Sequence, residues 1–186
     1  TLRNISIHGV GATLNGVRFV AGGTLIVDNV DISGAAQAGI DIEPTSGNAK
    51  VVITNSTIRG ATNGIQVSGA NSHVAVDRTS IRNPSNAGID ALNGSVNVTR
   101  SLLTGSAFFG FIGTVGNHTL NDSLVTNNFI GVQAQPGATV SVSGNSIVDN
   151  NLAYGCGNGT IASTGNNRNV NNPGAGCAPN AVVTVQ

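Results

Sequence analysis

The sequence repeats with a period of 22 to 26 residues, and this periodicity restricts the fold more than any other feature. An aliphatic residue recurs at intervals of 25, 26, 23, 22, 22 and 23 residues. The seven positions are Ile7, Ile32, Ile58, Ile81, Leu103, Val125 and Val148. A repeat of this length predicts a solenoid of about seven coils, in which each coil stacks on the one before it.

Two columns that flank the aliphatic position predict tight corners in every coil. Two residues after it only Gly or Asn occurs, and these residue types adopt positive φ most readily. That column is Gly9, Gly34, Gly60, Asn83, Gly105, Asn127 and Asn150. Three residues before it Asn is the commonest type, which predicts a second corner. That column is Asn4, Asn29, Asn55, Arg78, Arg100, Asp122 and Asn145.

Short, alternating, β-branched segments fill the rest of each coil. Examples are Val51-Val52-Ile53 before the Asn corner and Ile40-Asp41-Ile42 after a Gly-Ile pair, with the aliphatic repeat position between such segments. Segments of this kind are typical of β strands. We therefore predict an all-β parallel solenoid with three short strands per coil, about 34 Å long at one strand spacing per coil.

A column of hydroxyl residues lies two residues before the aliphatic position in the later coils. It comprises Ser56, Thr79, Ser101, Ser123 and Ser146. Positions two apart in a strand share a face, so these hydroxyls should point inward with the aliphatic column. Buried hydroxyls need partners, which predicts a ladder bonded to backbone groups or to the next rung.

The coils are predicted to occupy residues 1–155, and residues 156–186 to form a C-terminal capping segment of the same domain. That segment carries the two cysteines, Cys156 and Cys177. Two cysteines without a metal-type cluster predict one disulfide, formed in an oxidising compartment, with two free thiols as the alternative. Because the chain begins inside a repeat, we expect a trimmed product that is secreted, periplasmic or on the cell surface.

Charge and hydropathy exclude several partner classes. Charged residues make up 9% of the chain and the formal net charge is 0. A nucleic-acid binder needs a basic surface to neutralise phosphates, so no nucleic-acid partner is expected. No apolar run approaches the ~18 residues of a membrane span, so no membrane insertion is expected.

The pattern V-x-V-x-x-S-x-I-x-x-N, followed by G-I-x-V, resembles bacterial right-handed parallel β-helix repeat proteins of the pectin-lyase-like superfamily. The resemblance covers Leu2 to about Tyr154 and implies a right-handed fold. It implies no single activity, because this superfamily includes lyases, hydrolases, epimerases and adhesins. The N-T-D, D-D, G-H-G, R-I-K and D-P-H-D motifs of its enzymes do not occur here.

One outward column concentrates the polar residues that a site would need. The candidate ligand-binding residues are Arg18, Asp41, Glu43, Gln66, Ser68 and Asp90. Within this set the candidate catalytic residues are Asp41, Asp90 and Arg18. Asp41 and Asp90 lie two rungs apart, about 9.6 Å between backbones, close to the ~6.5–9.5 Å of inverting glycosidases. No metal or other cofactor is expected, except Ca²⁺ if the protein is a lyase.

The leading hypothesis is a non-catalytic structural or binding module, extracellular or on the cell surface, with polysaccharide as the candidate partner. The alternative is a polysaccharide lyase or hydrolase that acts on an anionic glycan. An ice-binding solenoid is a third hypothesis, but the regular outward T-x-T pairs that it needs are missing.

The later coils carry a predicted apolar ridge. Its members are Leu102, Leu124, Ile147, Phe108 and Phe129. Exposed apolar patches usually mark contact surfaces. Two coverings are open: a second protomer, which would make a homo-oligomer, or the tail Ala181-Val182-Val183-Thr184-Val185 folded back along the coils.

Overall fold

The computed structural model describes residues 1–9 and 14–183, which form a solenoid of 24 strands in three parallel sheets. Sheet A contains β1 (Leu2–Arg3), β4 (Gly23–Asp28), β7 (Ala49–Thr54), β10 (Ser72–Asp77), β13 (Ser95–Thr99), β16 (Gly116–Asn121), β19 (Ala138–Ser143), β22 (Thr160–Ser163) and β24 (Ala181–Val182). Sheet B contains β2 (Ser6–His8), β5 (Asp31–Ser33), β8 (Thr57–Arg59), β11 (Ser80–Arg82), β14 (Leu102–Thr104), β17 (Leu124–Thr126), β20 (Ser146–Val148) and β23 (Arg168–Val170). Sheet C contains β3 (Asn15–Phe19), β6 (Ala38–Ile42), β9 (Asn63–Val67), β12 (Ala87–Ala91), β15 (Phe109–Gly113), β18 (Ile130–Ala134) and β21 (Leu152–Tyr154).

The predicted parallel solenoid with three strands per coil is confirmed. Each coil runs from sheet A to sheet B to sheet C, and each strand pairs in parallel with strands of the neighbouring coils. The eight strands of sheet B show that the chain winds about eight times, one coil more than the aliphatic column predicts. In the last coil Asn169 takes the aliphatic position beside Ile147, so the column could not reveal that coil.

The register of coil seven differs from the sequence prediction by one residue. Val125 pairs with Ile147 rather than Val148, and Ile147 is fully buried. A slip of one residue exchanges the two faces of a strand. Because both Ile147 and Val148 are aliphatic, hydropathy alone could not choose between them. Ile147 is therefore a core residue, and its assignment to the exposed ridge is wrong.

Both predicted corners have left-handed backbone. After sheet B, positive φ is found at Gly34 (71°), Gly60 (66°), Asn83 (52°), Gly105 (74°) and Asn127 (55°). Coil seven uses Asp149 (56°) instead of Asn150, which follows from the register shift, and Gly9 is not left-handed. Between sheets A and B the column is Asn4 (55°), Asn29 (53°), Asn55 (51°), Arg78 (46°), Arg100 (46°), Asp122 (48°) and Gly144 (65°). We call this second turn the A–B corner.

The interior combines an aliphatic core with ladders of polar side chains. The predicted hydroxyl ladder is confirmed for Ser56, Thr79, Ser101 and Ser123, which are all buried. Ser101 Oγ accepts the Thr79 N–H at 3.2 Å, and Ser123 Oγ accepts the Ser101 N–H at 3.1 Å. In coil seven Asn145, not Ser146, takes this position and accepts the Ser123 N–H. The ladder thus supplies acceptors to backbone N–H groups that water cannot reach.

Cys156 and Cys177 form the predicted disulfide, with Cα atoms 5.2 Å apart. The chain beyond it continues the sheets: β22 and β24 extend sheet A, and β23 extends sheet B. The Cys177 N–H donates to the Tyr154 carbonyl, so this segment stacks beneath coil seven. Ala181–Val182 pairs with β22, which excludes this strand as a covering folded back along the earlier coils. Thr184 and Val185 lie outside the described residues.

Candidate functional site

The predicted polar column forms one row on the outer face of sheet C. Strand pairing places Arg18 beside Asp41, Asp41 beside Gln66, and Gln66 beside Asp90. Glu43 and Ser68 follow β6 and β9 directly at the same edge of the face. All six candidate ligand-binding residues therefore lie on four consecutive coils. Ligand binding itself stays a prediction.

Hydrogen bonds and ion pairs order the first half of this row. Asn15 Nδ2 donates to Asp41 Oδ2 at 3.0 Å. The Arg18 guanidinium pairs with Glu43, and its Nε lies 3.7 Å from Asp41 Oδ2. The Arg18 side chain remains 59% exposed, whereas that of Asp41 is 10% exposed. Arg18 and Glu43 are thus the accessible charges, and Asp41 lies beneath them.

Asn63 connects the second half of the row, and the sequence analysis did not identify it. Its Nδ2 donates to Gln66 Oε1 at 2.8 Å and to Asp90 Oδ2 at 3.3 Å. Its Oδ1 accepts from Asn86 Nδ2 at 2.9 Å. Asn63 and Asn15 occupy the same column of sheet C, two coils apart. Recurrence of Asn directly before the Gly-Val and Gly-Ile pairs is the sequence signal that would have found both.

Burial changes the acid strength of both aspartates in the same direction. It raises the pKa of Asp41, and the Glu43 charge raises it further, while Arg18 and Asn15 oppose the shift. Burial also raises the pKa of Asp90, opposed by the hydrogen bond from Asn63. Acid–base catalysis by two carboxyls works best when their environments push the two pKa values apart. Here burial is the largest cause at both aspartates and raises both pKa values, so it does not separate them.

The geometry is poor for the catalytic hypothesis. Asp41 Oδ1 is buried without a hydrogen-bond partner, so it cannot reach a glycosidic oxygen while the face keeps this arrangement. Arg18 pairs with two carboxylates, Asp41 and Glu43, so its guanidinium is already engaged and is not directed at a substrate. Within residues 1–9 and 14–183, no group of three or more His, Cys, Asp or Glu side chains could hold a metal ion.

The predicted apolar ridge divides into two patches. Leu102 and Leu124 begin strands of sheet B, next to the A–B corner, and Leu124 is 40% exposed. Phe108 and Phe129 lie at the other end of sheet B, before sheet C, and are 52% and 50% exposed. Self-association through these side chains stays a prediction.

Among the described residues, the structure has no helix with the length and apolar character of a membrane span.

Comparison with known proteins identifies the family. No curated protein and no solved structure matches the chain. The family model described as "Right handed beta helix region" matches residues 1–103, which is more than half of the chain. Together with the three stacked parallel sheets, this match shows that the chain belongs to the right-handed β-helix family.

Proposed function

We propose that this β-helix is a non-catalytic module that binds a neutral polysaccharide along the outer face of sheet C. The observation that carries the proposal is the row of hydrogen-bonding side chains on consecutive coils, spaced by one strand separation, about 4.8 Å. A polysaccharide is also a linear repeat, and it presents hydroxyl groups at regular intervals along its length.

The row is held in place before any ligand arrives. Asn63 fixes the amide of Gln66 and the carboxylate of Asp90, and Glu43 fixes Arg18. Side chains that are already ordered lose little conformational entropy on binding, which favours affinity for a weakly interacting polymer. Backbone pairing of the strands fixes the spacing between rungs.

Charge favours a neutral glycan over the anionic one of the lyase or hydrolase alternative. The face carries three carboxylates, Asp41, Glu43 and Asp90, against the single guanidinium of Arg18. A polyuronide would meet like charge there, which costs free energy in a partly desolvated site. Hydroxyl groups of a neutral sugar can instead donate to the accessible carboxylates, Glu43 and Asp90.

The disulfide supports an extracellular or cell-surface location for this module. Cys156 and Cys177 are paired, and disulfides persist in oxidising compartments. Polysaccharides of cell walls and secreted matrices are found in the same surroundings.

Affinity electrophoresis through gels that contain xylan, β-glucan or galactan tests the binding. We expect at least one polymer to retard the wild-type chain, and the Gln66→Ala/Asp90→Ala double variant to migrate freely. The matched control is Asn117→Ala/Ser141→Ala, which removes two polar side chains from the outer face of sheet A. Equal retardation of all three proteins would refute the sheet C site.

Catalysis is tested separately on the same polymers and on polygalacturonate. Reducing-end and ultraviolet assays, with and without Ca²⁺, should detect no turnover. Turnover that disappears in Asp41→Asn or Asp90→Asn would show that the alternative hypothesis is right.

A further inference from the structure

A groove follows the A–B corner, on a side of the solenoid that the sheet C proposal does not use. One cavity of about 320 Å³ is lined by residues of coils one to three, including Asn55, Thr57 and Arg59. A second cavity of about 490 Å³ follows on coils four to six and includes Arg78, Ser80 and Arg82. Because β8 pairs directly with β11, the two cavities lie end to end along the rod.

The second cavity collects positive charge. Arg78, Arg82 and Arg100 line it, with Asp122 as the single carboxylate. Asp77 does not line the cavity but holds two of these arginines. Arg100 donates to it twice, at 2.8 Å each, and Arg78 lies 3.2 Å away. These bonds hold the pKa of Asp77 below its usual value, so the anchor remains ionised.

Arg82 differs from the other arginines of this groove. Its Nε donates to Ser80 Oγ at 2.8 Å, and no described carboxylate lies within ion-pair distance of it. Its neighbour in the next coil down, Arg59, is paired with Asp31. Arg82 therefore presents an exposed, uncompensated guanidinium, oriented by Ser80 beside Arg78 and Arg100.

Two leucines give the same cavity an apolar floor. Leu102 and Leu124 pair as neighbours in sheet B and both line the cavity. An apolar strip bordered by guanidinium groups suits a ligand with one C–H face and anionic substituents. A sugar ring that bears a carboxylate or a sulfate group has this character.

We propose that the A–B groove between coils four and six binds an anionic glycan, with Arg82 as the principal anion contact and Leu102 and Leu124 beneath the sugar ring. Guanidinium groups bind carboxylate and sulfate oxygens through charge-assisted, often bidentate, hydrogen bonds. The proposal is independent of the neutral-glycan site on sheet C, which lies on another face.

The test is calorimetric or NMR titration of the whole chain with three oligosaccharides of equal length, on the Gln66→Ala/Asp90→Ala background so that the sheet C site does not contribute. These are an oligogalacturonate, its carboxyl-reduced neutral form and a sulfated oligosaccharide, so that the two anionic sources are compared directly. We expect at least one anionic ligand to bind and the neutral form not to. Arg82→Gln should weaken that binding about tenfold, the loss of one charge-assisted contact. Added salt should weaken it further.

Lys50→Gln is the matched control, because it removes one exposed positive charge from sheet A and leaves the groove intact. Leu124→Ser provides a second variant that keeps every charge and should also reduce affinity. Circular dichroism checks that all variants are folded. The proposal is overturned if neither anionic ligand binds, if the neutral form binds equally, or if Arg82→Gln and Lys50→Gln behave alike. Retardation of the Arg82→Gln variant by neutral polymers reports on the sheet C site alone, so the two proposals can fail separately.

Discussion

Replacing Asn150 by alanine tests whether buried amides stabilise the C-terminal coils. Asn128, Asn150 and Asn172 form a ladder inside the corner between sheets B and C. Asn150 Oδ1 accepts the backbone N–H and the side-chain Nδ2 of Asn128 at 3.0 and 2.9 Å. Its own Nδ2 donates to the carbonyls of Val125 and Val148. The residue is 1% exposed, so water cannot replace these bonds.

The expected loss follows from those contacts. Alanine leaves the buried N–H of Asn128 without its acceptor, which costs about 1–3 kcal/mol. The Asn128 side-chain amide still donates to the Leu103 carbonyl, so losing its bond to Asn150 costs less than losing the bond from the backbone N–H. Each further buried bond contributes about 1 kcal/mol. We expect Asn150→Ala to lower the free energy of unfolding by about 3–5 kcal/mol.

Urea denaturation followed by circular dichroism measures this change. The control is Asn151→Ala in the same coil, because Asn151 is exposed. Its bond to the preceding coil is made by the backbone N–H, which donates to the Asn128 carbonyl and which alanine keeps. That variant should stay within about 0.5 kcal/mol of wild type. A loss below about 1 kcal/mol for Asn150→Ala, or equal losses for both variants, would refute the argument that the amide ladder stabilises these coils.

Three further predictions concern the corner, the disulfide and a buried histidine. Gly60→Val should destabilise the chain by about 1–3 kcal/mol, because Gly60 has φ 66°. Gly60→Asn should cost less, since Asn83 adopts φ 52° at the same corner one coil later. Equal urea midpoints for the two variants would contradict this prediction. Reducing Cys156–Cys177, which are 21 residues apart, should lower stability by about 3 kcal/mol in the chain-entropy model, and a Cys156→Ser/Cys177→Ser variant should show the same loss and no further response to reductant. His118 is 1% exposed and packs against Phe111. Burial lowers its pKa, and the nearby Val115 backbone opposes this shift only in part. The unfolded chain therefore binds a proton more readily, so stability should fall as pH drops below about 6.5, and His118→Leu should reduce the slope between pH 7 and 5; identical slopes would exclude His118 as the cause.

The candidate site was predictable only in part. Arg18, Asp41, Gln66 and Asp90 could be placed in one row because each follows the same Gly-Val or Gly-Ile step. The repeat in the sequence therefore predicts that these four residues align on neighbouring strands. Asn15 and Asn63 recur directly before a Gly-Val and a Gly-Ile pair, but their hydrogen-bond partners could not be predicted. The bond from Asn63 to Asp90, for example, joins residues on different coils. Such bonds depend on rotamers and rung spacing, which no local pattern encodes.

The sequence by itself determined the solenoid, its three strands per coil and the left-handed corners, because each follows from a pattern that repeats in every coil. The two cysteines predicted a disulfide but left free thiols open, and the structure shows the bond. Only the tertiary structure decided the register of coil seven, where Ile147 and Val148 are equally apolar, and the burial of His118 in the core. It alone also showed that Leu102 and Leu124 border a groove with Arg82, while Phe108 and Phe129 lie at another corner. The physical reason is that stacking coils brings together residues 22 to 26 positions apart, and their packing depends on the face that each strand turns inward.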